Sequence, residues 1–144
     1  MKVLVDTSLW SLALRRKPGN LTQQEQRLTQ RLTELIEDDR VAVIGPIRQE
    51  LLSGIRSEVV FDRLKRRFRA YDDEPLTSED YESAAAIGNT CRAAGIAGSA
   101  IDFLICAVTQ RRGLSIFTTD RDFARYAAVV SLTLYPLDAS PPRA

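Results

Sequence analysis

The apolar positions of this chain recur in two patterns. Val3-Leu4-Val5, Val41-Ala42-Val43-Ile44 and Ser115-Ile116-Phe117-Thr118 are short runs that predict buried strands. Ser131-Leu132-Thr133-Leu134-Tyr135 reads as a last strand, and Ala70 to Glu74 as a short edge strand before Pro75. Between these runs the spacing lengthens to that of helices. Leu9 to Leu14 looks helical, and Pro18-Gly19-Asn20 is a loop. Thr22 with Glu25 is a capping-box pattern that opens a helix to about Glu37, with Leu28, Leu32, Leu35 and Ile36 on one face. Pro46 suits a first helical turn, and Ile47, Leu51 and Ile55 continue as a stripe, with Gly54 marking the end. A helix over 57–69 turns Val60, Leu64 and Phe68 inward and its basic residues outward. Ser78 starts a helix that ends near Gly95. Ser99 caps the next one, in which Ile101, Leu104, Ile105 and Val108 fall at i, i+3, i+4 and i+7 before Gly113 stops it. A short helix follows from Asp122 to about Ala128.

Short strands alternating with helices predict an α/β fold with a mainly parallel sheet. No repeat or linker divides the 144 residues, so a single domain is expected over 1–144, with 139–144 as a frayed tail. In such folds ligands bind outside the carboxyl ends of the strands. That edge is therefore the place to look for chemistry.

Composition narrows the chemistry. Hydrophobic residues make up 44% and charged residues 27% of the chain, as in ordinary globular proteins. No apolar run approaches the roughly 20 residues that span a bilayer. Asp6 interrupts the N-terminus too early for a secretory leader, so a cytoplasmic location is expected. Cys91 and Cys106 then read as buried thiols rather than a disulfide. The chain has no histidine, which excludes Ser-His-Asp and Cys-His catalysis and histidine-bound zinc. Net charge is +1, but the cations are clustered at Arg15-Arg16-Lys17, at Arg63, Lys65, Arg66, Arg67 and Arg69, and at Arg111-Arg112. Such clusters are either solvated helix faces or local phosphate-holding patches.

Four acids fall at element ends on the predicted ligand edge. Asp6 follows the first strand, Glu50 lies in the helix after the second, Asp102 opens the helix capped by Ser99, and Asp120 follows the Ser115–Thr118 strand. Carboxylates about 4 Å apart repel by about 1 to 4 kcal/mol per pair at dielectrics between water and a protein surface. A hard divalent cation reverses that sign, and oxygen ligands suit Mg²⁺ or Mn²⁺. Each acid also has a structural reading. Asp6 can cap a helix, Glu50 can be a surface residue, and Asp102 can complete a capping box with Ser99. Asp120 can be a turn residue, and Asp122 a cap paired with Thr119. The group is more specific than any member, because all share one predicted edge.

The motifs around these acids resemble those of the PIN domain family. Asp6-Thr7-Ser8 after the first strand resembles the opening motif. Glu50-Leu51 within Ile47–Gly54 resembles the second, Ser99-Ala100-Ile101-Asp102 the third, and Thr118-Thr119-Asp120-Arg121-Asp122-Phe123 the fourth. The compact chain is similar to the VapC-type toxins. That resemblance implies a three-layer α/β/α fold with a parallel sheet of four or five strands. It also implies a Mg²⁺- or Mn²⁺-dependent endoribonuclease, a homodimer, and neutralisation by a small VapB-type antitoxin. Asp6, Glu50, Asp102 and Asp120 match the acidic ligand positions, and Thr7 or Ser8 the hydroxyl position. Asp122 shares or replaces the role of Asp120. The reaction expected is in-line attack of water on RNA, leaving a 5′-phosphate and a 3′-hydroxyl. Arg15, Arg16 and Arg121 are candidates for RNA backbone contacts. The helix beginning after Thr22 and the basic 57–69 helix are the expected antitoxin groove.

The alternative is a Mg²⁺-binding regulatory or phosphohydrolase α/β domain. A receiver-like fold wants a late lysine, but none follows Lys65. An aspartate phosphohydrolase wants a second acid two residues after the nucleophile, where Ser8 stands. No Gly-x-Gly-x-x-Gly follows the first strand, which argues against a dinucleotide site.

Overall fold

A computed structural model describes residues 1–137, so the expected tail at 139–144 lies outside the described residues. Three strands form a parallel sheet: β1 (Val3–Val5), β2 (Val41–Ala42) and β3 (Ser115–Phe117), in the order β2-β1-β3. Parallel neighbours need crossovers, and helices supply them. α1 (Thr7–Leu14) and α2 (Gln23–Glu37) lead from β1 to β2. α3 (Gly45–Leu52), α4 (Glu58–Phe68), α5 (Ser78–Ala93) and α6 (Ala100–Arg112) lead from β2 to β3. α7 (Asp122–Ala127) follows β3. β1 and β3 are buried along their whole length, so helices cover both faces of the sheet.

The two outer strands expected from sequence are reduced to single bridges. Asp73 pairs with Val43 and Leu134 with Ile116, both parallel, one at each edge of the sheet. Pro75 and Pro136 lie just beyond those bridges and have no N–H to carry a ladder further. The sheet is therefore three regular strands with a one-residue extension at each side.

The helix ends follow the local chemistry. Thr22 and Glu25 form both bonds of a capping box at the start of α2, and Thr77 with Asp80 does the same for α5. Gly113 stops α6 in the left-handed conformation, where a side chain would be strained. α5 and α6 pack against each other, and Gly88 permits it: a Cβ there would sit 3.0 Å from the Phe103 ring. Cys91 and Cys106 are buried free thiols in this helix pair, as the composition predicts. Burial pushes the Cys106 thiol up to about 12. No helix among the described residues is long and apolar enough to cross a membrane.

Candidate metal centre

The C-terminal ends of β1 and β3 lie side by side because their residues pair in register, Val5 against Phe117. Beyond them, the Asp6 N–H donates to the Phe117 carbonyl at 2.9 Å, which fixes Asp6 next to the chain leaving β3. Asp6 occupies the N-cap position of α1 but makes no side-chain cap bond. Its carboxylate, 7% exposed, instead takes hydroxyl donors: Thr118 Oγ1 at 2.8 Å and Ser8 Oγ at 3.1 Å, both to Oδ2. A hydroxyl carries one proton. With those protons given to Asp6, the hydroxyl oxygens accept from the backbone. Ser8 Oγ takes the Thr119 N–H at 3.1 Å, and Thr118 Oγ1 takes the Asp120 N–H at 2.9 Å. Asp6 is thereby tied to the loop that holds Asp120.

That loop brings the acids together. One carboxylate oxygen from each of Asp102, Asp120 and Asp122 lies within 4.8 Å of the others. The expected Thr119–Asp122 cap does not form. Asp120 Oδ1 caps the Asp122 N–H at 2.9 Å instead, so the two acids share one turn. Asp102 is likewise not the acid of a capping box. Ser99 Oγ accepts its N–H at 3.1 Å, but its own carboxylate turns to the Tyr126 phenol, which donates to Oδ2 at 2.7 Å. Burial raises the Asp102 pKa above the usual carboxylate range, opposed by the Tyr126 and Ser99 hydroxyls and reinforced by the charges of Asp120 and Asp6. Burial, with Asp102 as acceptor, likewise raises the phenol of Tyr126.

The expected residues thus fall into two groups. Asp102, Asp120 and Asp122 form the cluster, and Asp6 is joined to it by hydrogen bonds through Thr118 and by its charge on Asp102. Glu50 lies outside the cluster. It sits exposed on α3, where Oε2 accepts the Thr7 hydroxyl at 3.2 Å. Of the cationic candidates, Arg15 and Arg121 are exposed, whereas Arg16 is paired with Glu25 at 2.9 Å. Thr118 and Tyr126 have no distinct functional signal in the sequence. Thr118 carries only the signature of a strand end, and Tyr126 reaches Asp102 across 24 residues of chain with no local motif.

The donor set fits a hard divalent cation. It is all oxygen, and the oxygens around one Mg²⁺ lie about 3.0 Å apart when adjacent and about 4.2 Å apart when opposite, so acids gathered within 4.8 Å are near the spacing that one ion would draw them to. The ion would offset the mutual repulsion of three to four carboxylates.

Known structures and families agree with this architecture. The crystal structure of FitAcB from Neisseria gonorrhoeae is similar at TM-score 0.72 and 20% identity, covering 94% of this chain and 97% of that one. VapBC2 from Rickettsia felis, bound to a DNA fragment from its promoter, is similar at TM-score 0.74 and 14% identity, covering 94% and 98%. FitAB bound to an IR36 DNA fragment is similar at TM-score 0.72 and 20% identity, covering 98% and 99%. No curated protein sequence matches the chain. The PIN domain family matches residues 3–129, from β1 through α7, and the chain belongs to that family.

Proposed function

We propose that this protein is a metal-dependent endoribonuclease, the toxin of a type II toxin–antitoxin pair, with Mg²⁺ or Mn²⁺ as its cofactor. PIN domains are generally nucleases. The observation that carries the reading is the gathering of Asp102, Asp120 and Asp122, with Asp6 wired to them, at the carboxyl edge of a parallel sheet. Asp6, Asp102, Asp120 and Asp122 would hold the ion, with Glu50 reaching it from the rim. Bound there, a divalent cation supplies Lewis-acid stabilisation of phosphoryl oxygens and a more acidic water. The protein's own part is positional. Ser8 and Thr118 orient Asp6, Tyr126 orients Asp102, and Thr7 orients Glu50. The product ends are a 5′-phosphate and a 3′-hydroxyl. Arg15 and Arg121 are exposed and available to RNA phosphates, while Arg16 would have to leave Glu25.

The same reading takes residues 1–144 as one nuclease domain, acting as a cytoplasmic homodimer. Its partner is a VapB-type antitoxin. FitAB and VapBC2, the two-component complexes this fold resembles, support that partner. The antitoxin segment would lie along α2 and α4; an open cleft on the α1 side of α2, with Leu12, Ala13 and Leu21 beside Arg16, Gln26, Thr29 and Thr33, offers it mixed apolar and polar contacts.

The test is cleavage of single-stranded RNA with and without Mg²⁺ by wild type, Asp6→Asn and Asp120→Asn. Loss of a ligand is expected to cost about 100-fold or more in rate. Wild-type rates from Asp6→Asn would sink its role, and metal-independent cleavage would sink the mechanism. Sequencing the new 5′ ends after induction without antitoxin identifies the RNA.

A further inference from the structure

A second strongly charged surface, opposite in sign to the acidic edge, is the outer face of α4, the helix that the sequence also offers to an antitoxin. Its buried stripe is Leu64 and Phe68. Arg63, Arg66 and Arg67 on α4, and Arg56 and Arg69 just beyond its ends, are exposed and form no ion pair among the described residues. Lys65 differs, being held by Asp62 at 3.6 Å and lying 5.8 Å over the Phe61 ring. Arg48 is also committed, to Asp73 and to the carbonyls of Phe68 and Tyr71. The helix dipole accounts for cations in the last turn, where Arg66 and Arg67 lie. It does not account for Arg63, which stands three and four residues before them. Like charges at those spacings oppose the helix. An external polyanion removes that repulsion.

Through its buried side, α4 packs against α1 and α3, the helices that carry Thr7 and Glu50. Phe68 meets Trp10 edge-on at 4.8 Å between ring centroids, and Trp10 lies one turn after Thr7 on α1. Arg48, which donates to the Phe68 carbonyl, lies two residues before Glu50 on α3. An RNA strand entering an acidic cluster is repelled by it, and a net charge of +1 gives no compensating field. The strand must be held by local cations, and α4 presents the densest run of unpaired ones. Resting on the nuclease reading, we propose that the arginine face of α4 docks the phosphate backbone of the single-stranded RNA whose scissile bond enters the acidic cluster.

The test is binding of an oligouridylate of about 20 nucleotides, measured without divalent cation so that nothing is cut. The proteins are wild type, the triple variant Arg63→Gln/Arg66→Gln/Arg67→Gln, and the matching triple Arg→Lys variant. Affinity is followed from about 50 to 200 mM salt. The glutamine variant is expected to bind about tenfold or more weakly, with a salt slope shallower by about 2, the value for three lost single-strand phosphate contacts. The lysine variant is expected to stay within about threefold of wild type, since phosphate docking needs the charge. An unchanged affinity and slope in the glutamine variant would overturn the inference and leave the arginines to an acidic protein partner. So would an equal loss in the lysine variant, which would point to packing, or a wild type that fails to bind. Cleavage by wild type in Mg²⁺, run in parallel, judges the nuclease reading separately, because the slopes are read without turnover.

Discussion

Tyr126 is the residue on which the orientation of Asp102 depends. Its phenol donates to Oδ2 at 2.7 Å and opposes the burial that raises the Asp102 pKa. Removing the donor leaves a half-buried carboxylate with less stabilisation of its charged form. The pKa of Asp102 then rises further, and metal binding begins at a higher pH. Tyr126→Phe is therefore expected to weaken Mg²⁺ binding at neutral pH by about tenfold, a typical loss for a group supporting a ligand. The deficit should shrink as pH rises. Calorimetric titration of Mg²⁺ at two pH values measures it, and an unchanged affinity at both would remove the role assigned to the phenol. Gly98 makes the contact possible. A Cβ there would stand 2.6 Å from the Tyr126 hydroxyl and 2.6 Å from the tip of the Phe103 ring. Gly98→Ala is expected to reproduce the Tyr126→Phe defect while the hydroxyl is still present. If it leaves Mg²⁺ affinity at the wild-type value, the phenol has found another route to Asp102.

At the scale of elements, capping does much of the specification, and one cap has a second function. Asp80 completes the capping box of α5, yet its side chain is only 1% exposed and also takes Arg111 at 3.1 Å and Arg112 at 3.0 Å from the end of α6. One carboxylate thus starts one helix and clamps the end of its neighbour. Burial pushes the Asp80 pKa up, but the Thr77 N–H and Arg112 outweigh it, and the net pKa is lowered. A lowered carboxyl pKa contributes stability that is complete above the unfolded value of about 4 and is lost as pH falls through the folded value. Asp80→Asn is expected to cost about 2 kcal/mol at pH 7, because the arginines remain partly solvated. The gap from wild type should close below about pH 4. Urea unfolding at neutral and acid pH checks this, and a gap constant with pH would mean that the charge is not what Asp80 contributes. The box at Thr22 and the stop at Gly113 were legible in sequence because caps are local, three residues apart or a single glycine. The segments 70–74 and 131–135 were legible only as extended chain. Their single bridges depend on how far a distant strand edge runs, which no local spacing encodes. The site divides the same way. That Asp6, Asp102 and Asp120 would come to one edge of the sheet was legible from their places at element ends. Asp122 was legible as an alternative to Asp120, but that both carboxylates join Asp102 was not, because it follows from Asp120 capping the turn they share.

The whole molecule is charged in two opposed regions under a net charge of only +1. One is the carboxylate edge of the sheet, the other the arginine face of α4. Holding Asp6, Asp102, Asp120 and Asp122 together opposes folding when no cation is present, since Asp120 and Asp6 both act on Asp102 with like charge. The fold carries that cost at one edge while β1, β3 and the helices around them supply the buried apolar surface that offsets it. Two thermal consequences follow. Mg²⁺ at about 100 times its dissociation constant is expected to stabilise wild type by about 2.7 kcal/mol, which raises the melting temperature by about 5 to 11 °C for a chain of this size. Asp120→Asn removes one of the repelling charges and a proposed ligand together. It should melt above wild type in EDTA, gain little from Mg²⁺, and cleave no RNA. The measurement is a pair of melting curves for each protein, with and without the ion. A wild type indifferent to Mg²⁺, or an Asp120→Asn protein less stable than wild type in EDTA, would mean that the acids are held for structure and not for a cation.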